Sequence, residues 1–113
     1  MQLKSKPTLR GRRRYIFFRI HSEKPLGFIN VRGAILNSML CWAGEKGYSK
    51  AGIKVIQNLW KPLRKMGVIR CSHTSVDDVK AALALIHQIG DERVVFQSLR
   101  VSGTIKSGTE KLG

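Results

Sequence analysis

The sequence predicts an α+β fold of the ferredoxin-like kind, a four-stranded antiparallel sheet with two helices on one face, in the order β-α-β-β-α-β. Three observations carry this. A β-branched and aromatic run follows a basic leader. Two helically spaced apolar patterns occupy residues 29–43 and 75–89. Two short apolar runs that read as a hairpin lie between them. A length of 113 residues suits a single domain with one core.

Each element has its own signal. Residues 1–11 form a basic N-terminal arm punctuated by Pro7 and Gly11. Residues 13–22 (RRYIFFRIHS) read as a strand with Ile16, Phe18 and Ile20 on one face and Tyr15, Phe17, Arg19 and His21 on the other. In residues 29–43, Arg32, Ile35, Leu36, Met39, Leu40 and Ala43 follow helical spacing, with Asn30 as N-cap and Gly44 or Gly47 as stop. Gly33 weakens that helix by about 1 kcal/mol relative to Ala and allows a close helix–sheet contact. Residues 48–52 read as a polar connection, 53–60 as a second strand, 61–67 (KPLRKMG) as a basic turn and 67–73 (GVIRCSH) as a third strand. Ser75 is the expected N-cap of the second helix, Asp77 and Asp78 suit its positive end, and Gly90 stops it. A fourth strand spans 93–101, and SGTIK continues extended. The domain thus covers residues 12–106, and residues 107–113 form a C-terminal tail. One face of the sheet would stay open for a ligand.

Charge narrows the partner. Lys and Arg total 21 against 7 Asp and Glu, a formal net charge of +14. Residues 1–14 carry six basic side chains and residues 46–70 carry seven, both without an acid. Such concentration points to a polyanion held through its phosphates. A solvated basic surface with no single partner is the plainer alternative. An anionic membrane surface fits poorly, because the basic segments lack the apolar face of interfacial helices. The longest apolar run, Ala81 to Ile86, is too short to span a bilayer. The leader has no apolar core of a secretory signal, and Cys41 and Cys71 make no disulfide framework. The expectation is a cytoplasmic domain.

Candidate sites are few. RNA-recognition domains share the predicted topology and stack bases on an aromatic third strand. Here that strand, Val68–His73, has no aromatic residue, so shape and phosphate contact are the expected mode. Cys71-x-His73 has no second ligand pair of zinc-site spacing, so no metal is expected. Asp77 and Asp78 are explained by capping, and no serine, cysteine or histidine has a partner set for catalysis. Trp42 and Trp60 are expected at a core edge or an interface rather than under bases.

Four stretches resemble one family: PTLRGRRRYI at 7–16, AILNSML…GEKGYSKAG at 34–52, GVIRCSH at 67–73 and LRVSGTIK at 99–106. Together they are similar to the ribonuclease P protein component 2 family of archaea and eukaryotes, over nearly the whole chain. LGFINVRG at 26–33 and the extra basic residues of KPLRKMG depart from its pattern. The resemblance implies a non-catalytic protein subunit of the endoribonuclease that removes the 5′ leader of precursor tRNA. The RNA subunit would be the catalyst and would bind the magnesium ions, with no cofactor on this chain. Implied partners are the ribonuclease P RNA, precursor tRNA and ribonuclease P protein component 3, paired two-plus-two, with other ribonuclease P proteins. The residues expected to grip RNA are Lys6, Arg10, Arg12, Arg13, Arg14 and Lys50, with Arg70 and Lys106 next. A ribosomal or other structural RNA-binding protein is the rival reading. A DNA-compacting protein and an independent nuclease stand further off.

Overall fold

A computed structural model of the chain describes residues 12–112. The arm, with Lys6 and Arg10, lies outside the described residues. The elements are strand β1 (Arg13–His21), helix α1 (Phe28–Ala51), strands β2 (Lys54–Val55) and β3 (Met66–Ser72), and helix α2 (Val76–Leu85). A small hairpin, β4 (Gln88–Ile89) with β5 (Glu92–Arg93), precedes strand β6 (Val95–Ser102) and helix α3 (Ile105–Leu112). The main sheet has the order β2-β3-β1-β6, with every pairing antiparallel. This is the predicted ferredoxin-like arrangement.

The predicted alternation of β1 builds the core. Ile16, Phe18 and Ile20 are buried beneath α1 and α2 together with Val31, Ile35, Met39, Val79 and Leu83. Phe18 stacks on Phe96 at 5.7 Å and on Trp60 at 6.3 Å. The helices are also joined by polar contacts. Ser38 Oγ donates to the carbonyl of Ala82 at 2.7 Å, and Trp42 Nε1 donates to Asp78 at 3.1 Å. A register shift in the β1–β6 pairing falls between Phe17 and Phe18, where β6 carries an extra residue, Leu99.

Several predicted boundaries are corrected. The helix expected over 29–43 does not stop at Gly44. That residue (φ 75°, ψ 177°) breaks it, and a second helical stretch runs on to Ala51. The expected polar connection 48–52 is therefore mostly helical, because Ala51 is fully buried and Tyr48 packs against the core. Gly52, at φ 55°, closes it. Gly33 meets nothing within 4 Å, so it permits no close helix–sheet contact. The second strand keeps only Lys54–Val55 and then turns through a short 3₁₀ helix at Gln57–Leu59. The cause is Trp60, which is buried under Phe18 and draws the chain off the sheet edge.

The second helix ends at Leu85, not 89, because Ile86 and Ile89 turn into the core and residues 88–93 form the hairpin. Gly90, at φ 61°, is the residue of that turn. Ser75 is buried and makes no capping bond; Ser72 Oγ instead accepts from Thr74 N–H in the turn before α2. Finally, SGTIK does not continue extended, and residues 107–112 of the predicted tail are helical. Thr104 Oγ1 accepts from Ser107 N–H at 3.1 Å and starts α3, which is helical through Leu112.

Two predictions follow from the core. A Cβ on Gly67 would lie 2.7 Å from Phe18 and 3.0 Å from Trp60. Gly67→Ala should therefore lower stability by about 1–3 kcal/mol, read by urea denaturation. Burial pushes the Cys71 thiol up to about 11 from 9.0. The folded chain keeps this proton where the unfolded chain has lost it. The Cys71 contribution is thus fully present below pH 9 and lost as pH rises towards 11. Urea denaturation across that window should show a shallower decline for Cys71→Ala than for the unsubstituted chain.

Candidate nucleic-acid interface

The strand pairings place the charged residues of the sheet. Opposite the core, β1 presents Arg13, Tyr15, Phe17, Arg19 and His21. The partners of these residues on β3 are Ser72, Arg70, Val68 and Met66, and those on β6 include Ser102, Arg100, Gln97 and Val95. Lys54 pairs with Arg70 from β2. One row across the sheet thus reads Lys54, Arg70, Tyr15, Ser102, and the next contains Val68, Phe17 and Arg100. Neighbouring strands lie about 4.8 Å apart, and successive rows on one face about 6.8 Å. Every charged residue at these strand positions is basic.

Arg70 and Arg100 are half-buried, and the Nε atom of each is buried without a hydrogen-bond partner among the described residues. Half-burial leaves part of each side chain accessible to water. A buried donor with no acceptor is a cost that an arriving anion removes. Arg also matches a phosphate with a planar fork of donors.

The sequence predicted this face to be open, but it is partly covered. Helix α3 lies on it, with Gly108 against the ring of Phe17, so close that a Cβ there would overlap the ring. Phe17 is consequently only 5 % exposed. Between α3 and the turn leading into β3 a cavity of about 170 Å³ remains, lined by Phe17, Leu59, Met66, Val68, Lys61, Arg64 and Thr109.

The expected RNA-gripping residues separate into groups. Arg12 is exposed, and its carbonyl accepts from the backbone N–H of His73 at 2.9 Å. Arg13 and Arg70 share the basic face. Arg14 has the core-side parity of β1 at the strand's end, and its Nη1 donates to the carbonyl of Arg13 at 3.0 Å. Lys50 is exposed in the last turn of α1, and Lys106 is exposed on α3. Sequence reasoning missed Lys54 and Arg100. The signal for Lys54 was its place in a strand beside Arg70. Arg100 had none, because its face depends on the register shift at Leu99. His73 Nδ1 faces the Arg12 carbonyl at 3.2 Å and Cys71 is buried, so the pair does not converge. No group of three metal-ligating side chains exists among the described residues. Trp60 lies in the core and Trp42 is 48 % exposed on α1.

The family model of the Rpp14/Pop5 family matches residues 14–113. The chain belongs to the Rpp14/Pop5 family. Its relatives include ribonuclease P protein component 2 of Methanosarcina mazei, 34 % identical over 107 residues, covering 93 % of this chain and 87 % of that one. The corresponding proteins of Pyrococcus furiosus and Archaeoglobus fulgidus are each 37 % identical over 100 residues. Those alignments cover 88 % of this chain, with 82 % and 87 % of the relatives. A chain in the cryo-EM structure of yeast ribonuclease MRP has a similar fold, with a TM-score of 0.63 at 13 % identity. That match covers 89 % of this chain and 91 % of the yeast one. The fold of this Rpp14/Pop5 member thus recurs at an identity where only the architecture is shared.

The two half-buried arginines give a test that separates binding from folding. Arg70→Met or Arg100→Met keeps the apolar stem and removes the unpartnered donor. Each should leave urea stability unchanged or slightly higher and should release the protein from a heparin column at lower salt.

Proposed function

We propose that this chain is an RNA-binding protein subunit of ribonuclease P, which removes the 5′ leader of precursor tRNA with the RNA subunit as catalyst. One observation of the structure supports this most: a sheet face whose charged residues are all basic, carried by a member of the Rpp14/Pop5 family. Folding a large RNA forces phosphates together, and fixed guanidinium and ammonium groups reduce that repulsion. The chain supplies charge and position and carries out no chemistry itself.

The described residues begin at Arg12, just before the inner strand β1, with Arg13 already on the basic face. In this reading Lys6, Arg10, Arg12 and Arg13 grip the RNA backbone with Arg70 and Lys106, and Arg14 and Lys50 make further contacts from outside the sheet face. The magnesium ions of the reaction belong with the RNA subunit. Ribonuclease P protein component 3 is the protein partner, in a two-plus-two pair, beside other ribonuclease P proteins and precursor tRNA. In this reading the working place is the cytoplasm, where precursor tRNA would meet the RNA subunit.

The deciding experiment is to isolate the protein from its native cells and sequence the RNA that accompanies it. A single dominant RNA of ribonuclease P type is the expected result. Mostly ribosomal RNA would favour the structural RNA-binding alternative, and DNA would remove both. In vitro, neutralising Arg12, Arg13 and Arg14 together should weaken RNA binding and lower the salt slope by up to about three phosphate contacts' worth.

A further inference from the structure

We infer that the cavity between α3 and the turn before β3 is a receptor for one unpaired nucleotide of the bound RNA. This rests on the ribonuclease P reading above and adds a preference that phosphate contact alone does not give. The chemistry of the cavity is divided. Its apolar wall is Leu59, Met66, Val68 and the edge of Phe17; its rim holds Lys61 and Arg64 on one side and Thr109 of α3 on the other. A flat, apolar-faced base with a phosphate on its sugar has that same division. A volume of about 170 Å³ suits one base and excludes a stack. Arg70 follows Val68 by two residues on the same face of β3, so a third cation stands beside the cavity for the next phosphate.

The turn that carries the rim is rigid. Lys61 and Met66 exchange both backbone hydrogen bonds, at 2.9 and 3.3 Å. The carbonyl of Lys65 accepts from Ile20 N–H at 2.8 Å, its ammonium group donates to the carbonyl of Ser22, and its φ is +55°. Leu63, between the two rim cations, is 98 % exposed, so the turn stands clear of the domain. Cations on a fixed, projecting turn beside an apolar recess favour an unpaired nucleotide over a smooth duplex backbone. The lack of aromatic residues on β3 rules out an extended stacking platform and leaves room for a single recess.

The test compares two RNA hairpins, one with a single-nucleotide bulge and one fully paired, bound to the full chain. The unsubstituted protein should prefer the bulged hairpin. Thr109→Trp fills the recess from an exposed position and should weaken binding of the bulged hairpin by about tenfold, within the range of one stacked base. It should leave the paired hairpin and the salt slope unchanged. Lys61→Ala with Arg64→Ala should lower the slope for the bulged hairpin by about 1.4. Equal binding of the bulged hairpin by Thr109→Trp and the unsubstituted chain would overturn the inference while the subunit reading stands, and would leave a protein segment as the occupant. Failure of both hairpins to bind would instead remove the reading beneath it. Ultraviolet crosslinking of the unsubstituted protein to a bulged hairpin carrying 4-thiouridine decides the matter independently of any variant's folding. Adducts on Phe17, Leu59 or Met66 support the receptor, and adducts confined to other residues reject it.

Discussion

The structure depends on the burial of β1 on both of its faces. Strand side chains alternate, yet Ile16, Phe17 and Phe18 are all buried in succession. Ile16 and Phe18 face the two long helices, and Phe17 lies beneath the C-terminal helix. The sheet is therefore the middle layer of the molecule around this strand and an outer layer elsewhere. That constraint selects glycine at two points of closest approach. Gly67 lets Phe18 and Trp60 come together on one side, and Gly108 lets α3 rest on Phe17 on the other. Each glycine gives up side-chain packing of its own so that a larger aromatic ring beside it can be enclosed.

Around this strand the charges divide by layer. Carboxylates are used where they hold the helical side together. Asp77 and Asp78 occupy the first turn of α2, where the helix dipole favours them, and Asp78 also accepts from Trp42. Glu92 accepts from the backbone N–H groups of Glu23 and Lys24, at 2.9 and 3.1 Å, and so pins the small hairpin to the loop before α1. At the strand positions of the opposite face the cations have no such partner among the described residues. Repulsion among them is tolerable because Arg70 and Arg100 are only half-buried and water screens them. Among the described residues this charge is not neutralised internally, and it stays available to a polyanion.

Much of the architecture was legible in the sequence because it rests on local period. The alternation of Ile16, Phe18 and Ile20 and the helical stripe containing Val79 and Leu83 gave the right elements in the right order. The errors share a physical origin in long-range packing. Trp60 shortened β2, Ile86 and Ile89 shortened α2, and Ala51 prolonged α1 beyond a glycine that would otherwise stop it. None of those burials is visible in a window of a few residues. For the candidate interface, Arg13 and Arg70 could be assigned to one face from strand parity alone. Lys54 carried a signal in its strand beside Arg70, whereas the cover over Phe17 was hidden because Thr104 and Ser107 cap a helix where the sequence read as extended.

The extra residue in β6 has a consequence for descent. Phe96 lies in the core and Arg100 on the outer face, although positions four apart in a regular strand share one side. Leu99 changes the phase of the strand between these two positions. Losing one residue there would leave β6 with a single phase, forcing a choice between a sealed interior and a cationic exterior. Insertions and deletions in this lineage should therefore accumulate in the turns and spare Ser98–Arg100, and an alignment that opens a gap there pairs residues from opposite sides of the sheet.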